Sequence, residues 1–223
     1  MKNPPNNKGG VTGVSPVERG TVKAVGFEGR GETSPPTTQV IISCERSQAI
    51  CKAFRWLGVE AYSNDIEPCY GNHPEWHIQC DARSIDFSDF KIVIAHPPCT
   101  YLSNCQPRKL FNDLDRYKKR DEAVDFFMFF YNLDNDHICI ENPIPMKGIG
   151  LPVYSQIIQP YNFGVPYSKA TCLWLKGLPP LFNTCICNNH TQWVNVSRNA
   201  DVRARTFDNI AAEIAKQWKY ILE

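Results

Sequence analysis

No stretch of this sequence approaches the run of apolar residues that a bilayer-spanning helix needs. Its opening residues, Met1-Lys2-Asn3-Pro4-Pro5-Asn6-Asn7, lack the apolar core of a secretory signal. These two absences exclude a membrane partner and set the expected location in the cytoplasm. Excess charge is lacking as well. The formal net charge is +1, whereas a dedicated duplex-binding protein usually carries a marked basic balance. No internal repeat is visible. Cysteine, by contrast, is plentiful: ten among 223 residues. Cys44, Cys51, Cys139 and Cys172 lie inside apolar or helical runs, and no export signal precedes them. They read as reduced thiols of a cytosol and not as a disulfide scaffold.

With 43% hydrophobic and 21% charged residues, the chain can bury one sizeable core. Residues 1–38 are rich in Pro, Gly, Asn, Ser and Thr with no sustained apolar period, and are expected to form a disordered tail. One folded domain, 39–223, should follow. Gln39 to Ile42 has the pattern of a buried strand, and Ser47 to Leu57 has helical spacing that stops at Gly58. Further strands are expected at Glu60 to Asp65, Trp76 to Gln79, Ile92 to Ala95, His137 to Ile140 and Thr171 to Leu175. Helices are expected near Asn112 to Leu133, Pro152 to Ile158 and Thr206 to Tyr220. Phe126, Phe127, Phe129 and Phe130 are too many for one face, so the first of these should be deeply packed. Alternating strands and helices argue for an α/β doubly wound, mostly parallel sheet.

Such sheets bind ligands at the carboxyl ends of their strands. Two of the expected strands end on reactive groups: one runs into His96-Pro97-Pro98-Cys99, the other into Glu141-Asn142-Pro143. A thiolate is a strong nucleophile, and a carboxyl group nearby can manage a proton. Pro98 and its neighbour Pro97 fix φ and lack N–H, which suits a short rigid loop presenting the thiol. A lone cysteine is more often a small buried hydrophobe, so the pairing with Glu141 carries the reading. Asp65 lies 20 residues beyond Glu45 at a strand end, where nucleotide-binding folds place an acid for ribose hydroxyls. Asp81 ends the next strand. The plainer alternative is that both aspartates cap turns.

Pro-Pro-Cys followed by Glu-Asn-Pro resembles the catalytic pair of the DNA cytosine-5 methyltransferases. The stretches Ser43-Cys44-Glu45, Ala61-Tyr62-Ser63-Asn64-Asp65-Ile66 and His73-Pro74-Glu75-Trp76-His77-Ile78 resemble a small methyltransferase-like family of phages and prophages. The resemblance spans residues 39–220. It implies a Rossmann-like class I methyltransferase fold, S-adenosylmethionine as cofactor, and a phage-encoded enzyme working in the bacterial host cytoplasm. It implies catalysis by Cys99 and Glu141, braced by Asn142 and Pro98. Cys44, Glu45, Asp65, Ile66, Asp81, Pro97 and Asn209 would meet the cofactor, with Ala211 beside Asn209. Gln159, Lys169, Arg203 and Arg205 would meet the substrate. Two departures stand out. Ser43-Cys44-Glu45-Arg46-Ser47-Gln48 has no glycine where the family has a glycine-rich loop, and Gln159-Pro160-Tyr161-Asn162-Phe163 lacks the family's two arginines.

Little sequence remains between Pro143 and the closing helix for a DNA-recognition domain. Either Cys105 to Arg120 and Phe182 to Ala200 make a minimal reading surface, or an accessory partner reads the DNA, or the substrate is simpler. Single-stranded DNA or a free cytosine nucleotide suits the near-neutral charge, because duplex binding engages many phosphates. Competing readings are amino-group methylation, which His96 and Cys99 fit poorly, and a non-catalytic nucleic-acid-binding protein on a methyltransferase scaffold. Cys185, Cys187 and His190 with Cys69, His73 or His77 would offer a zinc set of irregular spacing; no metal is expected.

Overall fold

The computed structural model describes residues 39–103, 114–193, 202 and 204–223. The tail expectation for 1–38 lies outside them, as do Arg203 and the greater part of the 105–120 surface. Nine strands and three longer helices follow in chain order among the described residues: β1 Val40–Ser43, α1 Ala49–Trp56, β2 Ala61–Asp65, β3 His77–Gln79, β4 Ile92–Ala95 and α2 Leu114–Tyr131 come first. Then come β5 Ile138–Pro143, β6 Gln156–Ile158, β7 Tyr167–Ser168, β8 Thr171–Lys176, β9 Thr191–Gln192 and α3 Asp208–Trp218.

Seven strands form one sheet in the order β3-β2-β1-β4-β5-β8-β6, with β7 and β9 a separate parallel pair. Neighbours from β3 through β5 are parallel, and β8 runs antiparallel to both β5 and β6. This is the expected doubly wound, mostly parallel, Rossmann-like sheet. No helix of the described residues is long and apolar enough to cross a membrane.

Strand parity sorts the core into two layers, because alternate residues face opposite sides of a sheet. Val40, Ile42, Ile92 and Ile94 pack with Phe54 of α1 and Ile210, Ile214 and Trp218 of α3. Ile41, Val93, Ala95, Ile138 and Ile140 pack with Phe127 and Phe130 of α2. Each β1 and β4 residue is fully enclosed, which is why the sequence shows a continuous apolar run there and no alternation. Of the four α2 phenylalanines, Phe127 and Phe130 are fully buried, while Phe126 and Phe129 pack half-buried against that core.

Helix α1 ends as its sequence predicts. Gly58 takes φ 77°, and the Val59 N–H returns to the Phe54 carbonyl at 3.1 Å. Its start is later than the pattern suggests, because Gln48 adopts a left-handed φ of 57° and delays the first turn to Ala49. The helix expected at Pro152 to Ile158 is absent. Gln156–Ile158 is the edge strand β6, pairing with Leu173 to Thr171. Two consecutive β-branched isoleucines and an available ladder on β8 outweigh a short apolar spacing that fits either element.

Trp218 is the largest fully buried side chain, and its indole N–H donates to the Pro179 carbonyl at 3.0 Å. Trp218→Ala is expected to destabilise the domain by about 3–5 kcal/mol in urea unfolding, since it removes a core ring and leaves a cavity under α3.

Candidate active site

Register builds the site. Ser43 pairs with Asn64 on one side and Ala95 on the other, and Ala95 pairs with Ile140. The next residue of each strand therefore stands on the same carboxyl edge: Cys44, Asp65, His96 and Glu141. Backbone bonds continue the row, from His96 N–H to the Ser43 carbonyl and from Glu45 N–H to the Asn64 carbonyl, both 3.0 Å. Between β1 and β4 the strand order reverses, and such a switch point opens a crevice for ligands.

One crevice opens there, enclosing about 120 Å³ and lined by Cys44, Glu45, Arg46, Ser47, Asp65, Tyr70, His96, Ala204, Arg205 and Thr206. That is less than the roughly 300–1,000 Å³ of most small-molecule pockets, so part of a larger ligand would lie in the open. The loop above β1 achieves its close turn without glycine by placing Cys44 and Gln48 at φ 61° and 57°. Left-handed backbone costs a side-chain-bearing residue roughly 1–2 kcal/mol. Hydrogen bonds offset it: the Gln48 amide donates to Ser63 Oγ at 3.1 Å and the His73 carbonyl at 2.7 Å, and accepts the His73 N–H at 3.1 Å. The close approach a glycine permits is supplied instead by Gly71, whose absent Cβ would stand 2.5 Å from the Ser47 carbonyl oxygen and 2.6 Å from Gln48 Cβ.

Glu45 is buried, and its two carboxylate oxygens accept the N–H groups of Ile50 (2.7 Å) and Cys51 (3.2 Å). A carboxylate thus already occupies the anion-favouring start of α1. Burial pushes the Glu45 carboxyl up, against the pull of His96 and those two amides. Burial, with the charges of Asp65 and Asp81, also pushes the Cys44 thiol up to about 12. Cys51 and Cys172 are pushed up to about 12 and about 11, also chiefly by burial. These three are inert thiols at neutral pH.

On the other side of His96 lies a smaller cavity of about 20 Å³, room for a single water, walled by Glu141, Lys169, Thr171, Phe207 and aliphatic side chains from β4, β8 and α3. His96 Nδ1 and Glu141 Oε2 are 2.9 Å apart, with side chains only 13% and 22% exposed. Burial opposes charge on both. Their mutual hydrogen bond and attraction outweigh it, so the His96 pKa rises and the Glu141 pKa falls, with Lys169 and a Thr171 hydrogen bond adding to the second effect.

The Cys99 loop is tied to the Glu141 loop at several points. Asn142 Nδ2 donates to the Pro97 carbonyl at 2.7 Å, Met146 N–H donates to the Leu102 carbonyl at 2.8 Å, and Ser103 bridges Pro145. The Cys99 carbonyl accepts the N–H groups of Leu102 and Ser103, both at 3.1 Å, which closes a tight turn behind the thiol. Cys99 itself is half-buried beside exposed Pro98, and neither cavity includes it in its wall.

Other expected site residues are more scattered. Asp65 lines the crevice and caps a turn through the Glu67 N–H. Asp81 lies outside the crevice wall and caps the following turn through the Arg83 N–H, as the plainer reading had it. Ile66 is 67% exposed and outside both walls. Asn209 donates to the Phe163 carbonyl and is part of neither cavity wall. Gln159 accepts the Lys169 N–H at 2.9 Å and so positions Lys169, whereas Arg205 lines the crevice on the loop side of His96. Among the described residues no three His, Cys, Asp or Glu side chains gather as a metal site; His190 stacks on Tyr161 and His73 on Trp76 instead. Sequence reasoning missed His96 as a site residue and Thr171 altogether. The signal for His96 was its place directly after an apolar strand, matching Glu141 on the neighbouring one.

Gly71→Ala is expected to displace the loop that follows β1. The protein should remain folded by circular dichroism with a Tm several degrees lower, and the fluorescence of Tyr70 and Trp76 should change.

No protein-family model and no curated protein matches the chain. Among solved structures it is similar to the S. pombe Dnmt2 methyltransferase, at 17% identity over 64% of this chain and 51% of that one, TM-score 0.40. It is also similar to the Entamoeba histolytica methyltransferase EhMeth, at 16% identity over 67% and 57%, TM-score 0.45. A Spodoptera frugiperda DNMT2 mutant gives 15% identity over 70% and 56%, TM-score 0.37. The chain spans about half the length of these structures, and the likeness concerns the fold alone.

Proposed function

We propose that this chain transfers a methyl group from S-adenosylmethionine to C5 of cytosine, with Cys99 as nucleophile and Glu141 as its carboxylate partner. The observation that carries the reading is the clamp between their loops, Asn142 to the Pro97 carbonyl, at the ends of two adjacent parallel strands. Two strand ends joined in this way hold a thiol and a carboxylate in fixed relation, as a two-residue covalent mechanism requires.

The chain's own residues then have distinct tasks. The Cys99 thiolate adds to C6, and the electrons of the C5–C6 bond make C5 nucleophilic. Glu141, on the N3 side, orients the ring by accepting the N–H of its exocyclic amino group, while N3 takes up a proton from water as negative charge builds on the ring. After C5 has gained its methyl group, loss of the C5 proton to a base expels the thiolate and restores the aromatic ring. S-adenosylmethionine, when bound, supplies the methyl group as an electrophile. The crevice residues fit it: Asp65 stands where ribose hydroxyls are met, and His96 Nε2 is a buried nitrogen with no hydrogen-bond partner. Arg205 and Tyr70 would close the crevice rim.

A free cytosine nucleotide or a single strand is the favoured acceptor over duplex DNA. The described interval from Pro143 to α3 is taken up by β6 to β9 and their turns, and the net charge of +1 offers little to a polyphosphate backbone.

Tritiated methyl transfer to dCMP, single-stranded DNA and duplex DNA tests both points. Wild type is expected to label at least one cytosine acceptor, and Cys99→Ser to lose at least about 1,000-fold in rate, consistent with removal of a covalent nucleophile. Transfer that survives in Cys99→Ser removes the covalent route. Absence of transfer to any acceptor by a folded protein favours a binding role.

A further inference from the structure

His96 lines both cavities, and the two-residue mechanism above assigns it no step. It follows β4 directly, its backbone N–H is fixed to the Ser43 carbonyl at 3.0 Å, and Pro97 behind it locks the chain direction. Its ring has little freedom. One edge meets Glu141 at 2.9 Å and the other, Nε2, is buried without a partner. The charged and titratable groups around it come from every neighbouring element. Glu141 and Cys139 lie on β5, Glu45 and Arg46 on the loop after β1, Asp65 at the end of β2, Lys169 before β8, and Arg205 and Tyr70 across the crevice. Of these, Glu141 and Glu45 favour a cationic ring and Lys169 opposes it.

We infer that His96 is a positioning and specificity-determining residue: Nδ1–H grips Glu141 Oε2, so the carboxylate meets the substrate ionised and in a single orientation. The purpose of this grip rests on the methyl-transfer reading above. An ionised carboxylate accepts the exocyclic amino N–H of cytosine and repels the O4 carbonyl of uracil. A neutral carboxyl group can donate to O4 and loses that discrimination. Glu141 stands at the rim of an apolar cavity, where without a cationic partner burial would favour its neutral form. His96, in direct contact, is the largest influence opposing this, with Lys169 and a Thr171 hydrogen bond acting in the same direction.

The pair has a definite pH window. The raised His96 pKa means that the ring loses its proton, and the grip weakens, only as pH climbs through that raised value. The lowered Glu141 pKa means that the carboxylate persists until pH falls below the usual carboxylate range. Between these limits both charges are present.

The test is an NMR pH titration of the His96 ring in the full chain without ligand, in wild type and Glu141→Gln. The expected result is a titration midpoint above that of ordinary histidines in wild type, returning downward in Glu141→Gln. Should Glu141→Gln fail to fold, the Glu141 carboxyl ¹³C signal in His96→Asn replaces it, with an upward shift of its midpoint expected. A wild-type His96 that titrates in the ordinary range and ignores Glu141 overturns the inference, whatever the enzyme assay shows.

A second readout uses turnover. His96→Phe is expected to lower kcat about 100-fold with a smaller change in KM, the order of effect of a misplaced acid–base group. It should also narrow the preference for dCMP over dUMP. His96→Asn keeps a donor toward Oε2 and should recover much of kcat, without the alkaline decline of the wild type. Unchanged kcat and unchanged dCMP preference in His96→Phe overturn the inference. If no acceptor is methylated by wild type, the cytosine reading fails and the titration alone decides the His96–Glu141 pairing.

Discussion

Parallel pairing of β1 with β2 and β4, and of β4 with β5, fixes where everything else in the site stands. Because Ser43, Asn64, Ala95 and Ile140 share one rung, the next residue of each strand must emerge on one edge within a few ångströms of its neighbours. A slip of one residue would turn every side chain of that strand to the other face, burying polar groups against α2 or α3. The enclosed apolar side chains of β1 and β4 make such a slip costly, so the core protects the register and the register positions the chemistry. Asn142 adds the remaining constraint by fastening the Cys99 loop to the end of β5.

Departure from a glycine-rich first loop has a physical cost that the chain meets locally. Cys44 and Gln48 accept left-handed backbone, the Gln48 amide makes three hydrogen bonds across to Ser63 and His73, and Gly71 approaches from the neighbouring loop. Glu45 turns inward to cap α1. Its carboxylate takes the amides that an anionic ligand group would otherwise favour. The edge is therefore lined by a row of buried titratable groups, Glu45, His96 and Glu141, in place of a bare helix start.

Much of this was legible in the sequence, because continuous apolar runs and a good helix stop are local signals. Val40 to Ser43, Ile92 to Ala95 and the helix ending at Gly58 needed no tertiary information. The edge strand β6 was not legible: three residues with helical or extended spacing take their state from the partner β8. That the loops bearing Cys99 and Glu141 follow adjacent strands could be read from strand-terminal positions, and Asn142, expected to brace the loop, donates to the Pro97 carbonyl. The roles of Asp81 and Asn209 could not be separated from turn capping and helix anchoring, since aspartate and asparagine do the same local work in either case. His96 was overlooked because a histidine beside two prolines carries no periodic signal; only the strand register brings it to Glu141.

The central claim is that the Cys99 thiol attacks the pyrimidine ring. Intact-protein mass spectrometry after incubation with S-adenosylmethionine and a 5-fluorocytosine substrate, as nucleotide and as single strand, tests it most directly. Fluorine cannot leave C5 as the proton does, so a covalent adduct should accumulate. The account predicts a mass increase equal to the whole fluorinated substrate plus one added methyl group, mapped by peptide sequencing to Cys99 and absent in Cys99→Ser. Methylation of ordinary cytosine by wild type, with no adduct on Cys99 from the fluorinated substrate, would contradict it.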